Sequence, residues 1–190
     1  MKTSLRLTSA CVVLVLLVAW SLAAVSSSAE SAGKAKENDE EFSVIQIQES
    51  LKREPRNSKL YIKLGQAYWN HGDYQQAFDA FKQAVKLAPA SAEAHNWLGV
   101  FLMGRGNLPD AISALRKAVS LDPRYARAYT NLGSALAKSG DLAGAVTAFQ
   151  KALTLEPSSW AAHLNLGLAL RENGDGAGAL KGIGFLSVGG

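Results

Sequence analysis

The chain has 190 residues, of which 48% are hydrophobic and 19% charged, a composition that suits a folded domain and excludes a wholly disordered chain. Its formal net charge of +4 falls to +2 once Lys2 and Arg6 are left out, which is too balanced for a nucleic-acid-binding protein. The single cysteine, Cys11, lies in an apolar N-terminal run. A processed protein would therefore have no thiol for a disulfide, for thiolate catalysis or for a metal site.

The N-terminus has the order of a secretory signal. Lys2 and Arg6 precede an uncharged run from Leu7 to Val25, and small residues follow from Ser26 to Ala29, as they do at a cleavage site. We therefore expect residues 1–29 to direct export, which would make the protein periplasmic or secreted. The alternative is an uncleaved membrane anchor over residues 7–25, because the run approaches the roughly 20 residues that span a bilayer.

Two short segments follow this leader. Residues 30–40 contain no aromatic or β-branched side chain, so they are predicted to form a disordered linker. Residues 41–56 end in the segment Glu54-Pro55-Arg56 and are predicted to form a single helix that the proline stops.

From Pro55 onward the sequence repeats every 34 residues. Prolines, Leu-Gly pairs, glycines and alanines all keep this spacing, at Pro55, Pro89, Pro123 and Pro157, at Leu64, Leu98, Leu132 and Leu166, at Gly72, Gly106, Gly140 and Gly174, and at Ala77, Ala111, Ala145 and Ala179. Self-similarity at a fixed period of this length indicates an architecture built from stacked repeats.

Each copy carries two patterns of apolar residues with helical spacing. In the first copy these patterns flank Gly72, which is predicted to end the first helix in the left-handed conformation, while Asp73 is predicted to cap the next helix. Gly65 lies inside the first helix, where glycine costs about 1 kcal/mol relative to alanine. Its recurrence in every copy therefore predicts that the two helices of a copy approach closely at this point.

These motifs resemble the tetratricopeptide repeat (TPR), whose pattern is Trp-x-x-Leu-Gly-x-x-Tyr, then Ala-x-x-x-Phe, then Pro. The first copy has the matching residues Tyr61, Leu64, Gly65, Tyr68, Ala77, Phe81 and Pro89. The resemblance covers residues 58–174 and implies an all-α, right-handed α-solenoid of helix-turn-helix repeats. Its repeats would be residues 57–90, 91–124 and 125–158, with a partial, glycine-rich fourth at 159–190 and residues 41–56 as an N-terminal capping helix.

No motif for catalysis, a metal or a cofactor accompanies the repeats. His95 and His163 occupy equivalent positions two periods apart, where the TPR pattern has Trp, so a structural role is expected for both. His71, beside Gly72, is expected to be exposed. We therefore expect a non-enzymatic protein without a cofactor or metal site.

The first helix of each TPR lines a concave groove that takes peptides or helices. Carried over to this sequence, the resemblance gives a set of candidate groove residues: Lys59, Ile62, Gln66, Trp69, Asn70, Glu93, Asn96, Val100, Met103, Arg127, Thr130, Asn131, Ser134, Lys138, Leu164, Leu168 and Arg171. Trp69, Val100 and Met103 are expected to offer apolar anchors. Asn96 and Asn131 are expected to orient the bound segment.

The resemblance implies a scaffold or adaptor that binds a protein or peptide in the cell envelope or outside the cell. A nucleic-acid partner is not expected, and a membrane role would come only from an uncleaved anchor. The alternative is the recognition arm of a truncated larger enzyme, such as an O-linked N-acetylglucosamine transferase-like glycosyltransferase. The tripeptides Asn131-Leu132-Gly133 and Asn165-Leu166-Gly167 resemble motifs in the arm of such enzymes.

The repeat pattern weakens after Asp175. Four glycines fall where the second helix of the fourth copy is required, at a combined cost of roughly 3–4 kcal/mol relative to alanine; they are Gly176, Gly178, Gly182 and Gly184. The segment is expected to dock loosely on the preceding helix or to belong to a fragment of a longer array, and the sequence favours the fragment.

Overall fold

A computed structural model describes residues 44–175 and 178–179. The predictions for the signal segment 1–29, for the linker 30–40 and for most of the segment after Asp175 fall outside these residues. The chain divides into two units, Met1–Gln46 and Ile47–Gly190, and the repeats belong to the second. Among the described helices, none combines the length and the apolar character that crossing a bilayer requires.

The described residues form helices and connecting turns, without a strand. In chain order the helices are α1 (residues 44–53), α2 (Ser58–His71), α3 (Tyr74–Leu87), α4 (Ala92–Gly104), α5 (Leu108–Leu121), α6 (Ala126–Lys138), α7 (Leu142–Leu155) and α8 (Trp160–Glu172). The pairs α2/α3, α4/α5 and α6/α7 each pack together, and each pair contacts the next. The predicted all-α fold is confirmed, and its stacked pairs form an α-solenoid.

The turns between paired helices follow the predicted chemistry. Gly72 has a φ of +86°, in the left-handed region that favours glycine, and the equivalent glycines of the other copies share this conformation. Asn107 and Asp141 cap the following helices by accepting from the amides of Asp110 and Gly144. Asp73 occupies the predicted N-cap position of α3 but makes no such side-chain bond.

The two helices of each pair approach closely at the repeated mid-helix glycine, as predicted. A Cβ atom placed on Gly65 would lie 2.7 Å from Cε1 of Phe81, and one on Gly133 would lie 2.6 Å from Cε1 of Phe149. Both phenylalanines are buried. Any larger residue at the glycine would displace the side chain that holds the two helices together.

Two apolar clusters form the core, and they differ in composition. The N-terminal cluster is rich in aromatic rings, since Phe81 and Phe101 are buried in it and Trp69 packs against it. The C-terminal cluster is mainly aliphatic and has Phe149 as its buried aromatic ring. The repeats therefore share a backbone arrangement but fill it with side chains of different size.

His95 and His163 have the structural role that their equivalent positions predict. The Nε2 atom of His95 lies 3.0 Å from the carbonyl oxygen of Pro89, and that of His163 lies 2.9 Å from the carbonyl oxygen of Pro157. In both copies the ring nitrogen donates to the turn that precedes its helix. The Nε2 atom of His71 is buried without a hydrogen-bond partner, so the expected exposure does not extend to this nitrogen.

Candidate partner-binding groove

The candidate groove residues all lie on the first helices of the repeats. Helices α2, α4, α6 and α8 carry them, and each of these helices contacts the next one in the series. The second helices α3, α5 and α7 pack behind them in the pairs described above. The first helices therefore form one continuous wall, and this wall is the candidate groove.

The candidate side chains differ widely in exposure. Lys59, Asn70, Glu93, Arg127, Lys138 and Arg171 are exposed, whereas Gln66, Trp69, Val100, Met103, Thr130, Asn131, Ser134, Leu164 and Leu168 are half-buried. Ile62 and Asn96 are buried, with 3% and 1% of their surface exposed. These two side chains support the wall from behind, so they offer almost no surface to a partner.

Asn96 and Asn131 bind each other across the groove wall. The Nδ2 atom of Asn131 donates to Oδ1 of Asn96 over 2.8 Å, joining α6 to α4. A buried amide oxygen without a partner would be costly, and this bond satisfies it. The expectation that Asn96 orients a bound segment is therefore corrected, because Asn96 is enclosed and its oxygen is already used, whereas Asn131 is half-buried and its role stays a prediction.

Trp69 packs into the wall between α2 and α4. Its ring centroid lies 5.5 Å from that of Phe101 and 6.5 Å from that of Phe81, both in edge-to-face geometry. The indole also covers Gly104, since a Cβ placed there would lie 2.9 Å from Cζ2 of Trp69. Trp69 is thus a half-buried packing residue, and Met103 likewise packs against the C-terminal cluster.

An open cavity of about 300 Å³ lies in the wall between α6 and α8. We call it the α6–α8 pocket, and its lining residues are Ser134, Ala137, Lys138, Phe149, Asn165, Leu168, Ala169 and Glu172. Ser134, Lys138 and Leu168 are among the candidate groove residues. The sequence prediction missed the other five, although Ala137 stands two periods after Trp69 and a comparison of equivalent positions identifies it.

The polar groups of the groove are of both charges. Lys138 and Glu172 line the α6–α8 pocket and are exposed. Nearer the start of α6, burial raises the pKa of Tyr125, as do the carboxylates of Glu93 and Asp122, while Arg127 lowers it. Within residues 44–175 and 178–179, no group of histidine, cysteine and acidic side chains is arranged to hold a metal ion.

Two larger grooves, of about 450 and 440 Å³, involve the second helices. His95 and Leu98 line the first, and Tyr61 and Leu64, one period earlier, line the second. The grooves recur because identical repeat packing leaves the same gap in successive copies. They are therefore a property of the architecture, whereas the α6–α8 pocket depends on the particular side chains of its own repeats.

Paired helices at a 34-residue period, with a wall of first helices, define an α-solenoid repeat protein. The sequence profile of the tetratricopeptide repeat matches residues 62–126, 102–159 and 130–183. The chain therefore belongs to the tetratricopeptide repeat family, as its motifs predict. No curated protein matches the sequence.

Solved structures of TPR proteins are similar to this chain over most of its length. A crystal structure of MamA is 30% identical, with a TM-score of 0.68 over 80% of this chain and 88% of that one. MamA from Desulfovibrio magneticus RS-1, from residue 41 to the end, is 27% identical, with a TM-score of 0.70 over 80% and 86%. YrrB, described as a TPR protein with an unusual peptide-binding site, is 22% identical and has a TM-score of 0.62 over 78% and 76%, which indicates a shared fold.

Proposed function

We propose that this protein is a non-enzymatic scaffold that binds an extended or helical segment of another protein in the groove formed by α2, α4, α6 and α8. The observation that carries the proposal is the contrast between closed and open positions along the groove wall. Its core positions are closed by packing, while charged side chains project from it and the α6–α8 pocket stays open. Such a surface, apolar in its pockets and polar at its edges, is typical of peptide recognition.

The histidines support a binding role over a catalytic one. His95 and His163 each engage the carbonyl of the proline that ends the preceding repeat, and their equivalence across repeats is that of packing residues. A catalytic base would instead be held next to a nucleophile or beside a bound substrate. The structural similarity to YrrB, whose description names a peptide-binding site, is consistent with a peptide ligand here.

Selection from a displayed peptide library, with the full chain as bait, tests this function. Peptides that bind the groove should lose affinity when Lys138→Glu and Arg171→Glu are combined, because both exposed cations lie on first helices. The matched control combines Arg116→Glu with Lys151→Glu on α5 and α7. Both residues are also exposed, and the two substitutions change the net charge by the same amount. Equal losses in the two variants, or a loss confined to the control, would place the binding surface elsewhere.

We also propose that the protein is exported, on the order of basic, apolar and small residues in the first 29 positions. The test is N-terminal sequencing of the protein recovered from envelope and culture fractions of expressing cells. A new N-terminus directly after Ser26 or Ala29 would support cleavage. Retention of Met1 in a membrane fraction would favour the anchor over residues 7–25, and retention of Met1 in the cytoplasmic fraction would contradict export.

A further inference from the structure

One position in the groove wall decreases in size over the first three repeats, and Arg171 occupies it in the fourth. Trp69, Met103 and Ala137 follow one another at the 34-residue period, each in the last turn of a first helix. Trp69 covers Gly104 on the next first helix, and Ala137 shares the α6–α8 pocket with residues of α8. The position therefore governs how far the space between consecutive first helices is filled.

Between α2 and α4 the chain fills this space with its own aromatic side chains. The Trp69 ring meets Phe81 and Phe101 edge to face and lies over Gly104, where a Cβ would come within 2.9 Å of it. Edge-to-face contacts of this kind add stabilisation to that which the burial of apolar area provides. The geometry shows that the space between two first helices of this solenoid suits an indole ring.

Between α6 and α8 the same space is open. Phe149 stands two periods after Phe81 and lines the pocket, so an aromatic ring is retained there. Ala137 and Ala169 stand two periods after Trp69 and Phe101, so two large rings are replaced by methyl groups. Both alanines line the cavity of about 300 Å³; Ala137 is half-buried and Ala169 is 3% exposed.

We propose that the α6–α8 pocket takes an aromatic side chain, tryptophan or phenylalanine, from the bound peptide. This inference rests on the proposed function and specifies its ligand. The incoming ring would occupy the space beside the half-buried Ala137, where the first repeat has Trp69, and Phe149, with 1% of its surface exposed, would lie at the base of the pocket. The chain thus carries, between its own first and second repeats, an intramolecular copy of the contact proposed for its partner.

The polar groups at the pocket favour a peptide as the source of that ring. Asn165 lines the pocket, and its side chain makes no hydrogen bond to any residue that the structure describes, in contrast to Asn131 one period earlier, which donates to Asn96. A side-chain amide offers both a donor and an acceptor, which matches a peptide group. Lys138 and Glu172 add one charge of each sign, so the flanking residues of the peptide would be polar.

The test uses two small probes, N-acetyl-tryptophanamide and N-acetyl-leucinamide, titrated to millimolar concentration into the isotope-labelled full chain. In amide NMR spectra the tryptophan probe should shift the signals of Ala137, Ala169 and Glu172. The leucine probe should bind at least several-fold more weakly, since its side chain is smaller and would leave part of the pocket unfilled. Shifts concentrated between α2 and α4 or in the grooves of the second helices would overturn the proposal.

Substitution within the pocket provides the second arm. Ala137→Trp installs the residue of the first repeat and Ala137→Met that of the second, so both copy side chains that this fold already accepts. Binding of the tryptophan probe should fall at least tenfold in Ala137→Trp and to a lesser extent in Ala137→Met. Ala143→Trp, the same change on an exposed position of α7, should leave it unchanged.

Far-ultraviolet circular dichroism and the melting temperature establish whether each variant is folded. If Ala137→Trp does not fold, Ala137→Met serves as the test. Unchanged probe affinity in a folded Ala137 variant would overturn the proposal. The inference and the proposed function fail separately. If library-selected peptides bind the groove equally well to wild type and to Ala137→Trp, only the aromatic pocket is wrong; if no peptide binds at all, the scaffold function itself fails.

Discussion

Gly133→Ala tests the contact that sets the spacing of the paired helices. Alanine is favoured over glycine within a helix by about 1 kcal/mol, so the substitution would be stabilising if space were available. The added Cβ would lie 2.6, 2.7 and 2.9 Å from three ring atoms of Phe149. That ring is 1% exposed, so it can yield only by moving into the α6–α8 pocket that it lines.

Overpacking of this kind typically costs about 1–3 kcal/mol. Because three atoms of an enclosed ring are affected, the upper part of that range applies, and after the gain in helix propensity we expect a net loss of about 2 kcal/mol. Urea unfolding followed by circular dichroism measures this loss directly. The control is Thr147→Ala on an exposed position of α7, which should be neutral or stabilising.

A Phe149→Ala background separates the clash from any other effect of Gly133→Ala. With the ring absent, the glycine-to-alanine change should become stabilising by up to about 1 kcal/mol, because only the propensity gain remains. Phe149→Ala alone costs about 3–5 kcal/mol, so the comparison is made with a stabilising osmolyte in every sample. A neutral or stabilising Gly133→Ala in the wild-type chain would refute the view that close helix approach requires this glycine.

Two further predictions concern other parts of the wall. Trp69→Ala should lower the free energy of unfolding by about 2–4 kcal/mol, because the ring contacts Phe81 and Phe101 but is only half-buried, so the loss is smaller than for a fully buried tryptophan. Thermal unfolding measures the effect. A change below about 0.5 kcal/mol, as at ordinary surface sites, would contradict the packing role. Burial raises the pKa of Tyr125, so the folded state favours the protonated phenol. The stability that this contributes is complete below the ordinary tyrosine pKa of about 10, and it is lost as the pH rises through the pKa of Tyr125 in the folded state. Tyr125→Phe should therefore lose less stability than wild type between about pH 8 and pH 11, and identical pH profiles of the urea midpoint would contradict this.

The architecture could be predicted from the sequence because its signals are local and repeated. The left-handed turn at Gly72 and the close approach at Gly65 each follow from one residue type in a defined helical context. Because four copies keep the same register, a helix or turn predicted in one copy is supported by the same pattern in the other copies. The capping prediction at Asp73 was the exception, since its side-chain hydrogen bond is absent although Asn107 and Asp141 make theirs.

The groove was harder to predict because exposure depends on contacts between repeats. The bond between Asn96 and Asn131 joins residues 35 positions apart, an offset that the 34-residue register does not reveal. The half-buried state of Trp69 depends likewise on Gly104 in the next repeat. The α6–α8 pocket arises from differences between equivalent positions, whereas the sequence prediction was built on what the copies share.

The most direct test of the scaffold function is an NMR map of a library-selected peptide bound to the labelled full chain, with a spin label attached to the peptide. We expect signal broadening on amides of α2, α4, α6 and α8. It should be strongest near Ala137 and Ala169 if the peptide carries its label beside an aromatic residue. Broadening concentrated on α3, α5 and α7, with the first helices unaffected, would contradict the assignment of the groove as the partner-binding surface.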